Sequence, residues 1–403
     1  MIRKRHFNFM KGIMTGGLAL LLAGSVCASV LTVSAATQPA ERDNSKGTVH
    51  ASEAARPSTA DSAKDEKQES APVTKKTLED GWVQFFLMCN EGMSNRGGNA
   101  GNTMMAISMD ENTGGIKLMM FAWDTFVKYE GYDRPQKIDM AYRNRGPEEA
   151  MKVFNDNFHL DIDKYLSLNF LNLASLVDDY GGVTVAVSRA ERNALNGMVS
   201  SKKENLQAML GKNLLGQEAI ELLADEYYLN DYGPETQLNG MQAVAYGWLQ
   251  YDSVYNCCLR EANIIAGLFK SVGNTMKNAV VFYTNDTKKP NVTDGRRVIN
   301  LDDLSEDDRT FIEQEVSPII DMSYNNLTEE EVDSITLALA RISYLASRQG
   351  VNIMDHIQIE VFPLEVKDPY DTVGGVKGHL VDYEANTQAM TEFLYADTDM
   401  SEE

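Results

Sequence analysis

The stretch NTMMAISMDENTGGIKLMMFAWDT, residues 102–125, decides the fold of this chain. It contains two short apolar runs, Met104–Met109 and Ile116–Phe121, and a turn rich in Asn and Gly lies between them. Strand, turn and strand in this order predict a β-hairpin. Because an antiparallel pair brings its two outer ends together, residues 102–103 and 123–125 should lie side by side and are the first candidates for a site.

The composition sets limits on the class of protein. The chain has 403 residues, 43% of them hydrophobic, and a net charge of -22. That apolar content suffices for one large core or two smaller ones. A nucleic-acid partner is disfavoured, since phosphate binding needs a basic face. The simplest role of the charge is to keep the protein in solution.

The cysteines leave two possibilities open. None of the four forms a CxxC pair and histidine is scarce, so no zinc site is predicted. The adjacent Cys257 and Cys258 could pair with Cys89 in an exported protein. Buried free thiols are the alternative.

The first 36 residues predict an export signal. Residues 1–11 are basic, residues 12–36 are uncharged, and small residues at positions 33–36 suit signal peptidase. The uncharged run is also long enough to span a bilayer with its basic end inside. A cleaved signal peptide and an uncleaved signal anchor therefore both stay open. In either case the remainder of the chain is extracytoplasmic, anchored to the membrane or secreted.

Two further segments follow the leader. Residues 37–78 have few large apolar side chains, cannot bury enough surface to become ordered, and predict a disordered linker. Residues 79–403 are the predicted folded domain. Strand-like and helix-like segments interleave along it, which predicts the α/β class. We expect a single layered α/β/α domain with a central mixed sheet and helices on both faces.

Several elements of this domain are predicted individually. Beyond the hairpin, strands are expected at Trp82–Cys89, Tyr165–Asn169, Val183–Val187, Asn278–Tyr283, His356–Phe362 and Val376–Val381. Helices are expected from Pro147 onward, and at Phe170–Tyr180, Met241–Tyr251, Arg260–Val272, Thr328–Arg348 and Asn386–Tyr395. The charged, irregular residues 188–237 predict short helices.

The order of these segments is typical of one protein family. The relevant pieces are TMMAIS…WDT, KIDMAY, DKYLSLNFLNLASLVDDYGGVTVAV, LNGMQAVAY, NNLT and the closing HIQIEVFPLE…VKGHLVDYEANTQAMTEFL. Together they extend over residues 81–395 and resemble the LytR-CpsA-Psr (LCP) family of the bacterial envelope. The resemblance implies a transferase that takes a glycopolymer from a polyprenyl pyrophosphate carrier and joins it to peptidoglycan. The implied partners are a polyprenyl-linked glycopolymer or glycan, peptidoglycan and, with an uncleaved leader, the membrane.

The resemblance also implies a particular kind of site. Arginines hold the pyrophosphate and acids hold a magnesium ion, which suits phosphoryl transfer. Residue by residue, it implies that Asp124 and Arg260 are catalytic and that Asp124 and Asn102 ligate the metal. Substrate binding then falls to Lys137, Thr125, Arg143, Arg145, Trp123, Trp248 and Gln250.

Several charges that the resemblance implies are replaced in this chain. Expected aspartates appear as Asn90 and Asn102, and Asn102 can offer magnesium an oxygen but no charge. Expected arginines appear as Trp123, Trp248, Gln250 and Cys257. Each missing charge-assisted hydrogen bond to phosphate costs ~1.5–3 kcal/mol, and ~1.4 kcal/mol is a factor of ten in rate.

Two hypotheses follow from these replacements. The first is an active Mg2+-dependent glycopolymer transferase whose metal site is weakened by the lost aspartate. The second is a catalytically lapsed protein that binds polyprenyl (pyro)phosphate, a glycan or a partner enzyme. Fold alone does not choose between them, because function belongs to the site.

Structural roles stay open for most of these residues. Asp124 could be an ordinary acid at a strand end, and Arg260 could pair with a nearby acid. Exposed charges are the simpler interpretation of Arg143 and Arg145. The tryptophans could fill the volume left by arginines, or they could stack on a sugar ring.

Overall fold

The computed structural model describes residues 74–90, 101–210, 227–364, 366–373 and 375–396. The predicted leader, residues 1–36, and the predicted linker up to residue 73 lie outside the described residues. Both assignments therefore stay predictions. Within the described ranges, no helix combines the length and the apolar character needed to cross a membrane.

Strands and helices alternate along the chain. The strands are β1 (Trp82–Asn90), β2 (Gly101–Asp110), β3 (Ile116–Phe121), β4 (Phe126–Val127), β5 (Gln136–Lys137), β6 (Tyr165–Asn169), β7 (Val183–Val187), β8 (Gly233–Leu238), β9 (Val280–Tyr283), β10 (Arg297–Asn300), β11 (Tyr324–Asn325), β12 (Ile357–Phe362), β13 (Val366–Val373) and β14 (Val376–Val381). The helices are α1 (Asp139–Arg145), α2 (Pro147–Phe158), α3 (Phe170–Asp179), α4 (Arg189–Leu210), α5 (Gly240–Gly247), α6 (Val254–Ala279), α7 (Glu306–Glu313), α8 (Ser317–Met322), α9 (Glu329–Arg348) and α10 (Tyr383–Tyr395).

A six-stranded mixed sheet forms the centre of the protein. Its strand order is β11-β6-β1-β2-β3-β12. β2 runs antiparallel to both β1 and β3. β6 runs parallel to β1, and β12 runs parallel to β3. The predicted mixed sheet is thereby confirmed, and the hairpin predicted from residues 102–125 lies within it.

The hairpin turn is held by local hydrogen bonds and by a close helix. Asp110 accepts a hydrogen bond from Thr113 Oγ1 at 2.7 Å, and its backbone N–H donates to the carbonyl of Gly115 at 3.0 Å. Gly114 has φ 75° and lies so close to α9 that a Cβ atom would come within 2.7 Å of the backbone nitrogen of Ile342. Only glycine satisfies both conditions.

Helices cover both faces of the sheet. Alternate side chains of β1 point to opposite faces: Phe85 and Leu87 belong to the larger core under α3, α6 and α9, whereas Phe86 and Met88 belong to the smaller core under α1, α2 and α10. The protein thus has the predicted α/β/α layers, with an apolar core on each side of the sheet.

Three helical predictions differ from the structure, and a cap explains where each of the three helices begins. Residues 189–210 form one long helix, α4, which begins where Glu191 N–H donates to Ser188 Oγ at 3.1 Å. α5 is shorter than predicted and begins at a capping box between Asn239 and Gln242. α6 begins six residues earlier than predicted, because Ser253 caps it by accepting from the N–H of Asn256.

Candidate functional site

The chain turns sharply where β3 ends. Ala122 N–H donates to the carbonyl of Phe362 in β12, and the carbonyl of Ala122 accepts from Thr125 twice, from N–H at 3.0 Å and from Oγ1 at 2.6 Å. Thr125 is buried. Its hydroxyl therefore shapes the turn that presents Trp123 and Asp124.

Asp124 is a buried carboxylate held by a distant histidine. It is 2% exposed, and its Oδ1 lies 2.8 Å from Nδ1 of His379 in β14. The backbone is joined as well, since His379 N–H donates to the carbonyl of Asp124 at 3.1 Å. The neighbouring Gly378 is required by this contact, because a Cβ there would lie 2.4 Å from the Asp124 carbonyl oxygen. No site role was predicted for His379 from the sequence, although it lies in the segment VKGHLVDYE of the family resemblance.

A second buried acid, Asp139, lies beside Asp124. It begins α1, is 7% exposed, and its Oδ2 is 3.1 Å from Nη2 of Arg143. Its Oδ1 is buried and has no hydrogen-bond partner among the residues described. Burial raises the pKa of Asp139, although the charges of Arg143 and Lys137 act in the opposite direction. No site role was predicted for Asp139 from the sequence.

Two of the predicted cations lie next to these acids and one does not. Lys137 in β5 places Nζ 5.0 Å from the centre of a Trp123 ring, which is a cation–π distance. Arg143 forms the ion pair with Asp139. The side chain of Arg145 is 73% exposed and faces Glu149 at 3.7 Å. The structure therefore gathers Lys137 and Arg143 at the site and leaves Arg145 at the surface.

Arg260 is buried in a salt bridge. It is 4% exposed, and its Nη1 and Nη2 bind the two carboxylate oxygens of Asp252 at 3.0 and 2.8 Å. Nη2 also donates to the carbonyl of Leu249, and Glu191 lies 3.5 Å from Nη1. Burial alone would lower the pKa of Arg260, but its hydrogen bonds to Asp252 outweigh this and raise it. The catalytic role of Arg260 stays a prediction, and direct contact with a phosphate would require this bidentate pair to open.

The other predicted site residues have different environments. Trp248 is buried and its ring centre is 3.8 Å from that of Phe170, so it fills core volume. Gln250 is exposed in the loop before α6. Asn102 belongs to β2, but its side chain lies outside the described residues.

Asn90, which replaces an expected aspartate, joins a buried network. Its Nδ2 donates to Tyr142 Oη at 2.7 Å, and Tyr142 Oη lies 2.8 Å from Ser167 Oγ. Burial raises the pKa of Tyr142 to about 12. The network links β1, β6 and α1 and keeps the tyrosine neutral.

Behind Asp124, α6 places a carboxyl group among thiols. Cys89, Cys257 and Cys258 are all buried and free, as in the second of the two predicted alternatives. Cys257 Sγ lies 3.6 Å from Glu261 Oε1, and Cys258 Sγ lies 3.8 Å from the carbonyl of Phe121. Burial raises the pKa of each thiol and raises that of Glu261 well above its usual range. Burial therefore favours the uncharged form of each group, and together they pack the base of the site.

Fold and site together define a three-layer α/β protein. Its central hairpin ends beside two buried aspartates, and a histidine and two cations lie around them. The LytR_cpsA_psr family model matches residues 46–255, and the chain belongs to this family. The match confirms the family that the ordered segments of the sequence predict.

Two curated relatives carry the same name, polyisoprenyl-teichoic acid–peptidoglycan teichoic acid transferase TagU. The one from Enterococcus faecalis is 27% identical over 143 residues, which is 34% of this chain and 44% of the relative. The one from Oceanobacillus iheyensis is 25% identical over 158 residues, 34% of this chain and 49% of the relative. The chain thus spans about half the length of the curated relatives it matches.

A solved structure is similar over most of the chain. TagT bound to LIIa-WTA superposes with a TM-score of 0.50 at 12% sequence identity, covering 81% of this chain and 96% of that chain. At this identity the similarity shows the fold alone.

Proposed function

We propose that this protein is a cell-envelope transferase that moves a glycopolymer from a polyprenyl pyrophosphate carrier to peptidoglycan. Family membership supports the proposal, and so do the two TagU relatives, whose names describe a teichoic acid transfer of this kind. The observation that carries it is the arrangement around Asp124, a buried carboxylate fixed by His379. Lys137 and Arg143 lie at the same site.

A magnesium ion suits the residues at this site. The donors would be hard oxygens: Asp124 supplies a carboxylate, and Asn102, whose side chain lies outside the described residues, is predicted from the sequence to add a neutral oxygen. Magnesium is usually held by one or two carboxylates together with substrate phosphates and water, so a sparse protein donor set is sufficient. When bound, the ion neutralises charge that develops on the transferred phosphoryl group.

The remaining residues divide by their environment. Lys137 and Arg143 would pair with the pyrophosphate, since both are cations beside Asp124 with part of the side chain accessible. Trp123 would flank the sugar next to that phosphate. Thr125, Trp248 and Arg260 are buried and would support the site from behind, and Arg145 and Gln250 would contact only an extended substrate.

His379 would act as a positioning residue for Asp124. The imidazole and the backbone of His379 each contact Asp124, so the orientation of the carboxylate does not depend on substrate. Preorganisation of this kind is the principal means by which proteins promote phosphoryl transfer.

A second candidate function is binding without catalysis. The buried salt bridge of Arg260 favours it, because this arginine already has two carboxylate partners. So does Trp248, which stands in the core where the resemblance expects a cation. In this alternative the protein would bind polyprenyl (pyro)phosphate, a glycan or a partner enzyme.

We place the protein outside the cytoplasm. The support is the basic and apolar character of residues 1–36 together with membership of an envelope family. Anchoring by this segment and secretion after cleavage are the two arrangements that the proposal allows.

The test is transfer by the purified full chain in mild detergent. The donor is a short glycan on a prenyl pyrophosphate, the acceptor is a soluble peptidoglycan fragment, and product is followed by mass spectrometry with and without Mg2+. We expect Mg2+-dependent product that disappears in Asp124→Asn and persists in Asp133→Asn, which removes an exposed acid from the β4–β5 loop. Donor binding in calorimetry without any product would instead support the binding function, and absence of both would refute both functions.

A further inference from the structure

The backbone brings Asp139 near Asp124. β4 and β5 pair antiparallel with Phe126 opposite Lys137. The pairing continues toward the site, because Ile138 N–H donates to the carbonyl of Thr125 at 2.9 Å. Ile138 has helical dihedrals and Asp139 begins α1, so the strand pairing ends at this point. The two carboxyl groups are nevertheless near enough that, besides burial, the charge of Asp124 raises the pKa of Asp139.

Burial makes the proximity of the two carboxylates energetically unfavourable unless a cation lies between them. Asp124 and Asp139 are 2% and 7% exposed. Two neighbouring carboxylates repel each other, and the repulsion is stronger when water is excluded. Each acid has one oxygen committed, Asp124 Oδ1 to His379 and Asp139 Oδ2 to Arg143.

One oxygen of Asp139 is left over. Its Oδ1 is buried and accepts no hydrogen bond from any residue that the structure describes. A buried carboxylate oxygen without a partner loses the full hydration of that atom, so a ligand is expected there. The backbone N–H of Met140, in the first turn of α1, lies near this carboxyl group and favours its charged form, but it makes no hydrogen bond to Oδ1.

We propose that Asp139 is a metal ligand that binds a divalent cation together with Asp124. Within the described ranges, three or more His, Cys, Asp or Glu side chains do not come together to hold a metal. The two aspartates would therefore form a sparse site, with waters and substrate phosphate completing the shell. That composition favours Mg2+ or Mn2+ over Ca2+, which takes more protein oxygens.

Asp139 would supply a second carboxylate ligand, which this chain lacks at positions 90 and 102. Asn102 offers no charge, and Asn90 donates its amide to Tyr142. Asp139 would restore the second negative charge. The inference rests on the proposed function only for the identity of the phosphate; the metal site itself is a property of the two aspartates.

The test measures metal binding directly. Mn2+ is titrated into the purified full chain and free Mn2+ is followed by electron paramagnetic resonance, with Mg2+ calorimetry in parallel. We expect the affinity to fall by at least about tenfold in Asp139→Asn and in Asp124→Asn. Asp133→Asn is the matched control, because it removes one exposed charge from the same β4–β5 hairpin, and its affinity should equal that of the wild type.

The alternative role of Asp139 is that of an ion-pair partner for Arg143. If Asp139→Asn binds Mn2+ as the wild type does, this role is sufficient and the metal site is refuted. If the variant does not fold, the wild type still decides the question by nuclear magnetic resonance. Substoichiometric Mn2+ should broaden the amide signals of residues 124 and 138–140 before others, and broadening elsewhere would refute the site.

Failure of this inference is distinct from failure of the proposed function. The wild type could catalyse Mg2+-dependent transfer while the Asp139→Asn variant keeps its metal affinity. That result would refute the metal site and support the transferase function. Loss of metal affinity in that variant, in a protein that never forms product, would leave the metal site and refute the transferase.

Discussion

Glu261 should make the stability of this protein depend on pH. It lies in α6 and is 2% exposed, and Cys257 Sγ is 3.6 Å from its Oε1. Its Oε2 has no hydrogen-bond partner within the part of the chain that the structure describes. Burial raises the pKa of Glu261 well above the usual value, and the nearby Thr103 and Arg260 offset only part of this. The folded protein therefore keeps the Glu261 proton to a higher pH than the unfolded chain does.

The sign and size of the effect follow from proton linkage. A glutamate in the unfolded chain loses its proton near pH ~4.3. Above this pH the folded state binds more protons than the unfolded state, so the free energy of unfolding falls as the pH rises. One proton corresponds to a loss of ~1.4 kcal/mol per pH unit. The loss continues until the pH passes the raised pKa in the folded protein.

Glu261→Gln should remove this dependence. Glutamine has the shape of the protonated carboxyl group and does not ionise in this range. Urea unfolding between about pH 5 and about pH 8 should therefore show the variant gaining up to ~1.4 kcal/mol per pH unit relative to the wild type. Glu330→Gln, an exposed acid in α9, is the control and should run parallel to the wild type. Parallel curves for Glu261→Gln would refute a raised pKa at this position.

Three further predictions concern the surroundings of the site. Arg260→Gln should lower the free energy of unfolding by about 3 kcal/mol, because it leaves a buried ion pair broken. Arg145→Gln, at an exposed position, should change it by less than about 0.5 kcal/mol. Equal effects of the two variants in urea unfolding would contradict the contrast in burial. Gly378→Ala should destabilise the protein by ~1–3 kcal/mol, because its Cβ would meet the Asp124 carbonyl. Gly197→Ala, which has open space around it on α4, should stabilise the protein by up to ~1 kcal/mol. The melting temperature should therefore fall in the first variant and rise in the second. The three buried thiols should resist alkylation until urea unfolds the protein, and mass mapping of a pair as a disulfide in the native protein would contradict this.

Local sequence signals predicted much of the fold because the responsible interactions are short in range. The Thr328 capping box begins α9 as expected, with Thr328 accepting from Glu331 N–H three residues away. The hairpin of β2 and β3 is equally local. Short helices were predicted where the long helix α4 is found. Ser188 and Glu191 form the same type of cap at the start of α4, so this error came from an overlooked local signal and not from tertiary context.

The site was predicted only in part. Asp124 and Lys137 were found because they lie in segments of the family resemblance, and Arg143 because it directly follows one of them. His379 also lies in such a segment, but it contacts Asp124 from 255 residues away, and nothing local indicates that contact. Asp139 becomes a neighbour of Asp124 only through the register of two short strands, each of two residues.

By itself the sequence determined the family, the α/β/α class and the central hairpin, since these depend on hydrophobic periodicity, turn residues and the order of segments. Tertiary structure decided which charges are available. It buried Arg260 against Asp252, joined His379 to Asp124, and left one oxygen of Asp139 without a partner. The physical reason is that a charge acquires its function from burial and from neighbours distant in the chain, and neither is encoded in local sequence.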